Sequence, residues 1–234
     1  MPKFLMNLFY KSYKESVQLC KESVLDLTNK NRNAVILDCG CDEGSFTMEV
    51  AKRIGSNNVY GVDISTNAST KAKAKGIKTR SSDLNNRFPY NENTFDVIIA
   101  NQVIEHLSNT DGFIQEIKRT LKPGGYAIIS TNNLSSWHNI VAIILGKQPF
   151  PCDVSNYTHI GKLAKMWGDG DAGSWSHLRV FTIHALIKLF EHYGFVVEKE
   201  IGVGYYPFSG LLSKCLSQID RIHVVYITIK VLKK

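Results

Sequence analysis

Between residues 34 and 131 the chain alternates short apolar runs with amphipathic helical patterns, and this alternation constrains the fold more than any other feature. Short runs that are apolar throughout are typical of parallel strands covered by helices on both faces. Candidate strands lie at 34–38, 58–62, 77–80, 95–100, 125–131, 195–203 and 222–230. Candidate helices lie at 3–29, 44–54, 66–75, 112–121 and 183–193. We therefore predict an α/β fold with a seven-stranded, mostly parallel sheet and helices on both faces.

The last candidate strand follows its predecessor without a helix as clear as the others. Parallel neighbours need a crossover connection, so we predict that this last strand is antiparallel, at or near one edge of the sheet. With 234 residues, 44% of them hydrophobic, the chain suits a single domain over residues 1–234, with an N-terminal helix within residues 1–30.

Residues 132–178 interrupt the alternation, and this segment is too long for an ordinary loop. It contains Trp137, Trp167 and Trp175 and ends in the tract GDGDAGS. A surface excursion with its own small core would explain it, and so would a lid over a substrate pocket. We favour an inserted lid, because long loops at the carboxyl edge of a parallel sheet commonly carry function.

Composition constrains the partners and the cellular location of the protein. The formal net charge of +7 favours anionic partners, although solubility alone explains a basic surface. An odd number of cysteines, five, with no CxxC spacing predicts a reducing, cytoplasmic location. The longest apolar run, 140–145, is far short of the ~20 residues that span a bilayer, so we expect no transmembrane segment. Its position beside Trp137 leaves room for peripheral membrane contact, and nothing in the sequence indicates an oligomeric state.

Acidic residues lie at or just after the ends of the first three candidate strands, at Asp38, Asp63 and Asp83. An acid about twenty residues after a glycine turn is placed to accept hydrogen bonds from a ribose diol, which suits Asp63. A carboxylate at the next strand end, Asp83, is placed to accept from the amino group of a base. Each acid alone is commonly a loop or cap residue, whereas three at successive strand ends indicate a nucleoside site.

The glycine turn after the first strand carries two further acids, Asp42 and Glu43. Negative side chains repel a diphosphate, which disfavours a nicotinamide oxidoreductase and suits a ligand with an ammonium group. The alternative is that these acids only cap the start of the following helix.

The segments VILDCGCDEG, GVDIS, SSDLNNRFPYNENTFDVIIANQVIEHL and LKPGG occur in this order over about residues 34–131. Together they resemble class I S-adenosylmethionine-dependent methyltransferases with a Rossmann-like fold, above all the small-molecule group that includes quinone-pathway enzymes. The resemblance implies S-adenosylmethionine as cofactor. It places the cofactor contacts at Asp38, Gly40, Cys41, Gly44, Asp63, Ile64, Asp83, Leu84 and Asn101.

The resemblance also implies individual roles. Asp63 would hold both ribose hydroxyls, Ile64 would pack on the adenine, and Asp83 would accept from the adenine amino group with Leu84 nearby. Asn101 would lie beneath the methionine carbons. The turn after the first strand, with Gly40 and Gly44, would surround the methionine part.

Two positions depart from the family pattern. Asp42 stands at the middle glycine of the usual GCGxG turn, and Asp tolerates left-handed backbone better than most residues. Some relatives bind a divalent metal through E-x-x-E-H, but here Gln102 replaces the first Glu before Glu105 and His106. Losing an anionic ligand weakens a site for a hard cation, so we predict no metal.

For catalysis, His106 is the first candidate for a general base, because it follows the fourth strand near the expected methyl group. A buried, hydrogen-bonding role would also explain it. His159 and His177 in the proposed lid are second candidates.

The sequence therefore favours methyl transfer to a small-molecule acceptor, and we expect an oxygen atom of the acceptor to receive the methyl group. An RNA methyltransferase is the alternative enzyme, using the basic run Lys71, Lys73, Lys75, Lys78 and Arg80. No aromatic residue is interleaved with that run, so we do not expect a nucleic-acid partner. A cofactor-binding scaffold without catalysis is the alternative from another class.

Overall fold

The computed structural model describes residues 3–155, 157–162 and 177–234. In these ranges the strands form one seven-stranded sheet in the order β3-β2-β1-β4-β5-β7-β6. The strands are β1 (Val35–Cys39), β2 (Asn58–Asp63), β3 (Lys78–Ser81), β4 (Phe95–Asn101), β5 (Leu121–Asn132), β6 (Phe195–Val203) and β7 (Tyr226–Lys233). The strands from β3 to β5 pair in parallel, and β7 pairs antiparallel with both β5 and β6. The predicted antiparallel last strand is confirmed, one position in from the edge.

Helices cover both faces of this sheet. They are α1 (Lys3–Asp26), α2 (Ser45–Ile54), α3 (Thr66–Ala74), α4 (Thr110–Thr120), α5 (Trp137–Ile144), α6 (Ile183–His192) and α7 (Gly210–Ile219). Alternate residues of each central strand enter opposite cores: Ile36 packs with α1, α2 and α3, whereas Leu37 packs with α4 and α6. Burial on both faces explains why these strands are apolar throughout. The predicted α/β architecture is confirmed.

Parallel pairing brings the carboxyl ends of the central strands to one edge of the sheet. Cys39 at the end of β1 lies opposite Val62 of β2 and Ala100 of β4. Asp63 at the end of β2 lies opposite Ser81 of β3. The segments singled out in the sequence therefore meet at a single edge.

Several element boundaries differ from the prediction. The LKPGG segment lies within β5, which pairs with β4 through a register shift between Phe95 and Val97. Strand β7 begins at Tyr226, because Asp220 accepts from the backbone N–H and the ring of His223 and holds the preceding residues in a turn. Helix α7, between β6 and β7, was not predicted.

The proposed lid, 132–178, is described in part. It contains helix α5 and a loop in which the Lys162 ammonium donates to the carbonyls of Pro149, Phe150 and Cys152. Residues 163–176, with Trp167 and Trp175, lie outside the described residues. The division into one domain with an inserted lid stays a prediction.

Candidate active site

The turn between β1 and α2 requires glycine at two positions. Gly40 and Gly44 have φ of +73° and +78°, in the left-handed region that glycine enters without steric cost. A Cβ on Gly40 would lie 2.5 Å from Val103 Cγ2, and one on Gly44 would lie 2.4 Å from Ile77 Cδ1. The turn therefore presents bare backbone at the strand edge because both conformation and space exclude side chains.

Asp42 occupies the third left-handed position of this turn, with φ of +45°. Its backbone N–H donates to Asp63 Oδ2 at 2.9 Å, and the N–H of Ser65 donates to Asp63 Oδ1 at 2.9 Å. The two bonds fix the Asp63 carboxylate between the first and second strand ends. A carboxylate has about four acceptor sites, so Asp63 retains capacity for a diol.

Asp38 is buried, and its Oδ2 accepts from the Thr47 hydroxyl at 2.6 Å. Burial raises the pKa of Asp38 to about 7, the Thr47 hydrogen bond opposes that rise, and the Asp63 charge adds to it. Its side chain thus ties the turn to helix α2.

The other expected cofactor residues divide between exposed and internal positions. Ile64 is largely exposed beside Asp63, available to pack on a planar group. The Asp83 carboxylate accepts from the backbone and side-chain N–H groups of Asn85, both at 2.9 Å, which orders its own loop. Cys41 and Leu84 are buried in the core, so their side chains serve packing. Glu43 forms an ion pair with Lys71 on α3, and this pair offsets the negative charge of Glu43.

Beyond the strand edge lies a chamber of about 240 Å³. Helix α1 forms one wall, and the end of β4, the 3₁₀ turn Ile104–His106 and the end of β5 form the others. The lining residues are Tyr13, Val17, Cys20, Lys21, Asn101, Gln102, Glu105, His106, Asn132, Phe150, His177 and Tyr226. Asn101, expected beneath the methionine carbons, lies at its boundary, and its Oδ1 accepts from the Ser130 hydroxyl at 2.7 Å. The chamber therefore adjoins the expected methyl position.

Glu105 is the buried acid of this chamber. Its carboxylate accepts from Thr131 Oγ1 at 2.9 Å and from Asn132 Nδ2 at 3.4 Å. Burial raises its pKa to about 7, against the lowering effect of its hydrogen bonds. Oriented to satisfy both ends of its amide, Gln102 places its nitrogen 3.2 Å from Glu105 Oε1. The residue that replaces the family's first Glu thus acts as a neutral donor to the second.

The end of the proposed lid is anchored at the chamber by the backbone of Glu105. Its carbonyl oxygen accepts from the N–H groups of Leu178 at 2.7 Å and Arg179 at 3.0 Å. This anchor sets His177 beside His106, with 4.9 Å between the ring centroids. Burial, with the nearby His106 charge adding to it, lowers the pKa of His177 to about 4. The structure thus brings together His106 and one of the two second candidates; His159 instead contacts Asp153 at 2.7 Å.

Glu105, His106 and His177 each offer a ligand atom, and these atoms lie within 4.8 Å of one another. One carboxylate and two imidazoles suit a transition-metal ion in chemical type. The Glu105 oxygens, however, already accept hydrogen bonds from neighbouring side chains. The absence of a metal therefore stays a prediction, and it can be tested at the cluster of Glu105, His106 and His177.

Sequence reasoning missed the chamber residues Cys20 and Tyr226. Cys20 belongs to the apolar stripe of α1, and periodicity indicates that a stripe is buried without indicating what it packs against. Tyr226 begins the antiparallel strand β7, whose position next to β5 was not specified in advance. The chain contained no local signal for these two.

Comparison with known proteins identifies the family to which this chain belongs. A model of the methyltransferase domain matches residues 11–200, which is most of the chain. The chain belongs to the methyltransferase-domain family. This methyltransferase is 28% identical over 184 residues to the mitochondrial ubiquinone biosynthesis O-methyltransferase of Rattus norvegicus, covering 75% of this chain and 48% of that protein. It is 27% identical over 192 residues to the ubiquinone biosynthesis O-methyltransferase of Colwellia psychrerythraea, covering 80% and 70%. The chain thus spans about half the length of the rat relative.

Solved structures share the fold. A SAM-dependent methyltransferase from Thermotoga maritima superposes with a TM-score of 0.64 at 15% identity, covering 97% of this chain and 93% of that one. The cyclase SpnF superposes with a TM-score of 0.57 at 18% identity, covering 93% of this chain and 81% of that one. A fold shared with a cyclase shows architecture and leaves the chemistry to the site.

S-adenosylmethionine is the cofactor of this family, and the residues present fit it. Asp63 keeps acceptor capacity for a ribose diol, and the glycine turn brings backbone to the strand edge beside it. The described helices include none that is long and apolar enough to cross a membrane.

Proposed function

We propose that this methyltransferase transfers the methyl group of S-adenosylmethionine to an oxygen atom of a small molecule held in the chamber. The observation that carries the proposal is the chamber itself, which adjoins Asn101 and places the His106 and His177 rings at one wall. Its volume of about 240 Å³ suits a small acceptor group. Aromatic side chains, Tyr13, Phe150 and Tyr226, supply apolar contact for such a molecule.

S-adenosylmethionine, when bound, supplies an activated methyl group on a sulfonium sulfur. The chain's own contribution is then chiefly orientation, which can be worth effective molarities of ~10⁵ M or more. Tyr13 and Phe150, with ring centroids 6.5 Å apart, both line the chamber, one from α1 and the other from the proposed lid. His106 accepts the proton that a hydroxyl acceptor must lose.

The proposal for oxygen has two supports. A hydroxyl needs a base, and the chamber offers imidazoles, whereas a free amine or thiolate often needs none. Two relatives are named as ubiquinone biosynthesis O-methyltransferases, a description that belongs to those proteins. For this chain the acceptor is a small molecule carrying a hydroxyl group.

The RNA alternative loses support from the basic run. Lys71 pairs with Glu43, Lys75 donates to Glu43 O and Ser45 Oγ at 2.7 Å, and Arg80 donates to Pro89 O at 2.6 Å. These contacts use the cations to fasten α3 and β3 to neighbouring loops. The proposed location is cytoplasmic, supported by cysteines that are all free thiols.

The test combines acceptor discovery with a variant. Purified protein with methyl-labelled S-adenosylmethionine and a metabolite extract should yield a labelled small molecule, whose structure identifies the attacking atom. With that acceptor, His106→Ala should lower kcat by about 10²- to 10⁴-fold while S-adenosylhomocysteine binding is retained. His192→Ala, at the end of α6, is the matched control.

Four outcomes would overturn parts of the proposal or the prediction of no metal. Label on nitrogen or sulfur removes the oxygen assignment, and an unchanged kcat in His106→Ala removes the base. No label in any extract, with cofactor binding intact, would favour the scaffold. A chelator that abolishes turnover, with recovery on adding a divalent transition metal, would show that Glu105, His106 and His177 hold an ion.

A further inference from the structure

Asp42 holds a left-handed backbone conformation in the middle of the glycine turn, residues 40–44. Its φ is +45°, and Gly40 and Gly44 on either side have φ of +73° and +78°. Glycine enters this region without steric cost, whereas any side chain there costs energy, although Asp tolerates it better than most. The chain thus keeps a carboxylate where glycine would relieve strain. Strain retained at a functional site indicates a role for the residue that bears it.

The backbone of Asp42 is bonded to the acid that is expected to hold the ribose. The Asp42 N–H donates to Asp63 Oδ2 at 2.9 Å, so the two residues are in direct contact. In S-adenosylmethionine the sulfonium sulfur is attached to the 5′ carbon of the ribose and joins the ribose to the methionine part. The ammonium and carboxylate groups lie farther along the methionine part. A residue of the turn that touches Asp63 is therefore closest to the junction, where the sulfonium charge lies.

The Asp42 carboxylate differs from its acidic neighbours in having no partner among the residues that the structure describes. Asp38 is buried and accepts from the Thr47 hydroxyl, and Glu43 forms an ion pair with Lys71. Asp42 is exposed, and its side chain forms no hydrogen bond or ion pair within the described ranges. The pKa of Lys71 is raised chiefly by its hydrogen bond to Glu43, and the Asp42 charge contributes least to that rise. The negative charge of Asp42 is therefore available to a ligand.

We propose that Asp42 makes the cofactor site select S-adenosylmethionine over its product, S-adenosylhomocysteine. The two molecules differ by one methyl group and by the positive charge on sulfur, because the product is a neutral thioether. A carboxylate near that sulfur attracts the cofactor and gives the product no equivalent attraction. Asp42 therefore reduces inhibition by the product. The proposal rests on the placement of the ribose at Asp63 and is independent of the acceptor.

Titration calorimetry on the full chain, without any acceptor, tests the proposal with four ligands. S-adenosylmethionine carries the sulfonium, and sinefungin carries a charged amine beside the same position. S-adenosylhomocysteine is neutral there, and 5′-methylthioadenosine is neutral there and also lacks the amino-acid part. Asp42→Asn removes the charge and keeps a side chain that tolerates left-handed backbone. It should raise the dissociation constants of the two charged ligands by about five- to thirtyfold and change those of the other two by less than about twofold.

Glu49→Gln is the matched control, because Glu49 is an exposed acid on α2 and its replacement changes the net charge by the same amount. This control should bind all four ligands as the parent protein does. Raising the salt concentration from about 0.05 M to about 0.5 M should reduce the difference between the parent and Asp42→Asn, because salt screens exposed charges. Circular dichroism, together with the retained binding of S-adenosylhomocysteine, shows that the variant is folded.

The pattern of losses across the ligands decides the result. Equal losses for the three ligands with an amino-acid part, with 5′-methylthioadenosine unaffected, would show that Asp42 holds the ammonium group and would overturn the proposal. Equal losses for all four would assign Asp42 to the support of the turn, and no loss for the charged ligands would also overturn it, as would an equal loss in Glu49→Gln. If Asp63→Ala leaves binding of S-adenosylhomocysteine unchanged, the ribose placement and this proposal fail together. A failure to find an oxygen acceptor leaves this proposal intact.

Discussion

The Asp63 carboxylate is held at both oxygens by backbone N–H groups, from Asp42 and from Ser65, each at 2.9 Å. Two donors from two different loops fix its orientation before any ligand arrives. Preorganisation of this kind reduces the ordering cost of binding. The acid expected to hold the ribose is thus set in place by the turn that is expected to surround the methionine part.

Asp63→Ala should weaken S-adenosylhomocysteine binding by about 1.5–3 kcal/mol, the range for hydrogen bonds to a charged group. Titration calorimetry measures this as a dissociation constant raised roughly 10- to 100-fold. Glu49→Ala, an exposed acid on α2, is the control and should bind as the parent does. Unchanged affinity in Asp63→Ala would remove the ribose assignment.

Asp38 makes stability depend on pH. Burial raises its pKa to about 7 in the folded protein, whereas an unfolded chain releases this proton near pH ~3.9. Between these values the folded state holds a proton that the unfolded state has lost, so this residue's contribution to stability falls as pH rises from about 4 to about 7. Above about pH 7 the contribution stays at its lower level.

Asp38→Asn has a neutral side chain at every pH, so it should reduce this decrease in the free energy of unfolding. Urea unfolding at pH 5, inside this window, and at pH 8, above it, should show a parent protein that loses up to about 2.6 kcal/mol more than the variant. Asp26→Asn, an exposed acid paired with Arg53, is the control. Equal pH dependence in parent and Asp38→Asn would mean that Asp38 is ionised throughout.

The sequence predicts the role of a residue only where that role follows from the residue's position along the chain. Asp63 ends β2 and Asp38 is the last residue but one of β1, but the pleat sends Asp38 inward to Thr47, while Asp63 remains partly exposed at the edge. His177 lies 71 positions beyond His106 by number, so no local pattern indicates that their rings meet. Such pairs depend on the path of the lid.

At the level of elements, α7 is fastened to α1 rather than capped by its own sequence. Its cap residue Ser209 makes no side-chain bond, and both Glu15 oxygens accept from the Gly210 N–H, at 2.7 and 2.8 Å. Ser12 donates to Phe208 O at 2.6 Å just before the helix. A carboxylate at a helix start is stabilising because it meets unpaired N–H groups and the positive end of the helix dipole.

Glu15→Ala should therefore lower the free energy of unfolding by about 1 kcal/mol. Urea unfolding with a matched control, Glu22→Ala, measures it; Glu22 lies on the same helix and accepts from Gln18. The control should change stability by less than about 0.5 kcal/mol. A loss of equal size in both variants would show that α7 does not depend on the Glu15 contact.

The elements that the sequence predicted well are those whose pattern matches a common packing arrangement. Strands β1, β2 and β4 and helices α2, α4 and α6 were located to within two residues at either end, because their apolar residues face the core. Helix α7 was missed because it buries serines and exposes leucines, which reverses the pattern. Strand β5 was predicted to begin at 125 because Gly124 and Gly125 signal a turn, whereas the structure accommodates them in a register shift.

At the scale of the whole molecule, the cofactor region is assembled from the ends of β1, β2 and β4 and the loop after β3, so it exists only in the folded state. A ligand of that region should stabilise the entire domain by mass action. S-adenosylhomocysteine at about 100 times its dissociation constant should add about 2.7 kcal/mol to the free energy of unfolding.

Thermal unfolding should show this as a Tm rise of roughly 5–10 °C. NADH at the same concentration should leave Tm unchanged, because the acids of the turn repel a diphosphate. Asp63→Ala should need more S-adenosylhomocysteine for the same rise. A Tm rise with NADH equal to that with S-adenosylhomocysteine would contradict the cofactor assignment.

The contacts of α1 have a consequence for how the protein is made. Ser23 bonds Thr228 at 2.7 Å and Glu15 bonds Gly210, so a helix that precedes the sheet along the chain is completed by segments that follow it. On the ribosome, α1 must wait until α7 and β7 have emerged before these contacts can form. A nascent chain that stops before β7 lacks Tyr226 and the support of α1, and we expect it to be unable to enclose an acceptor.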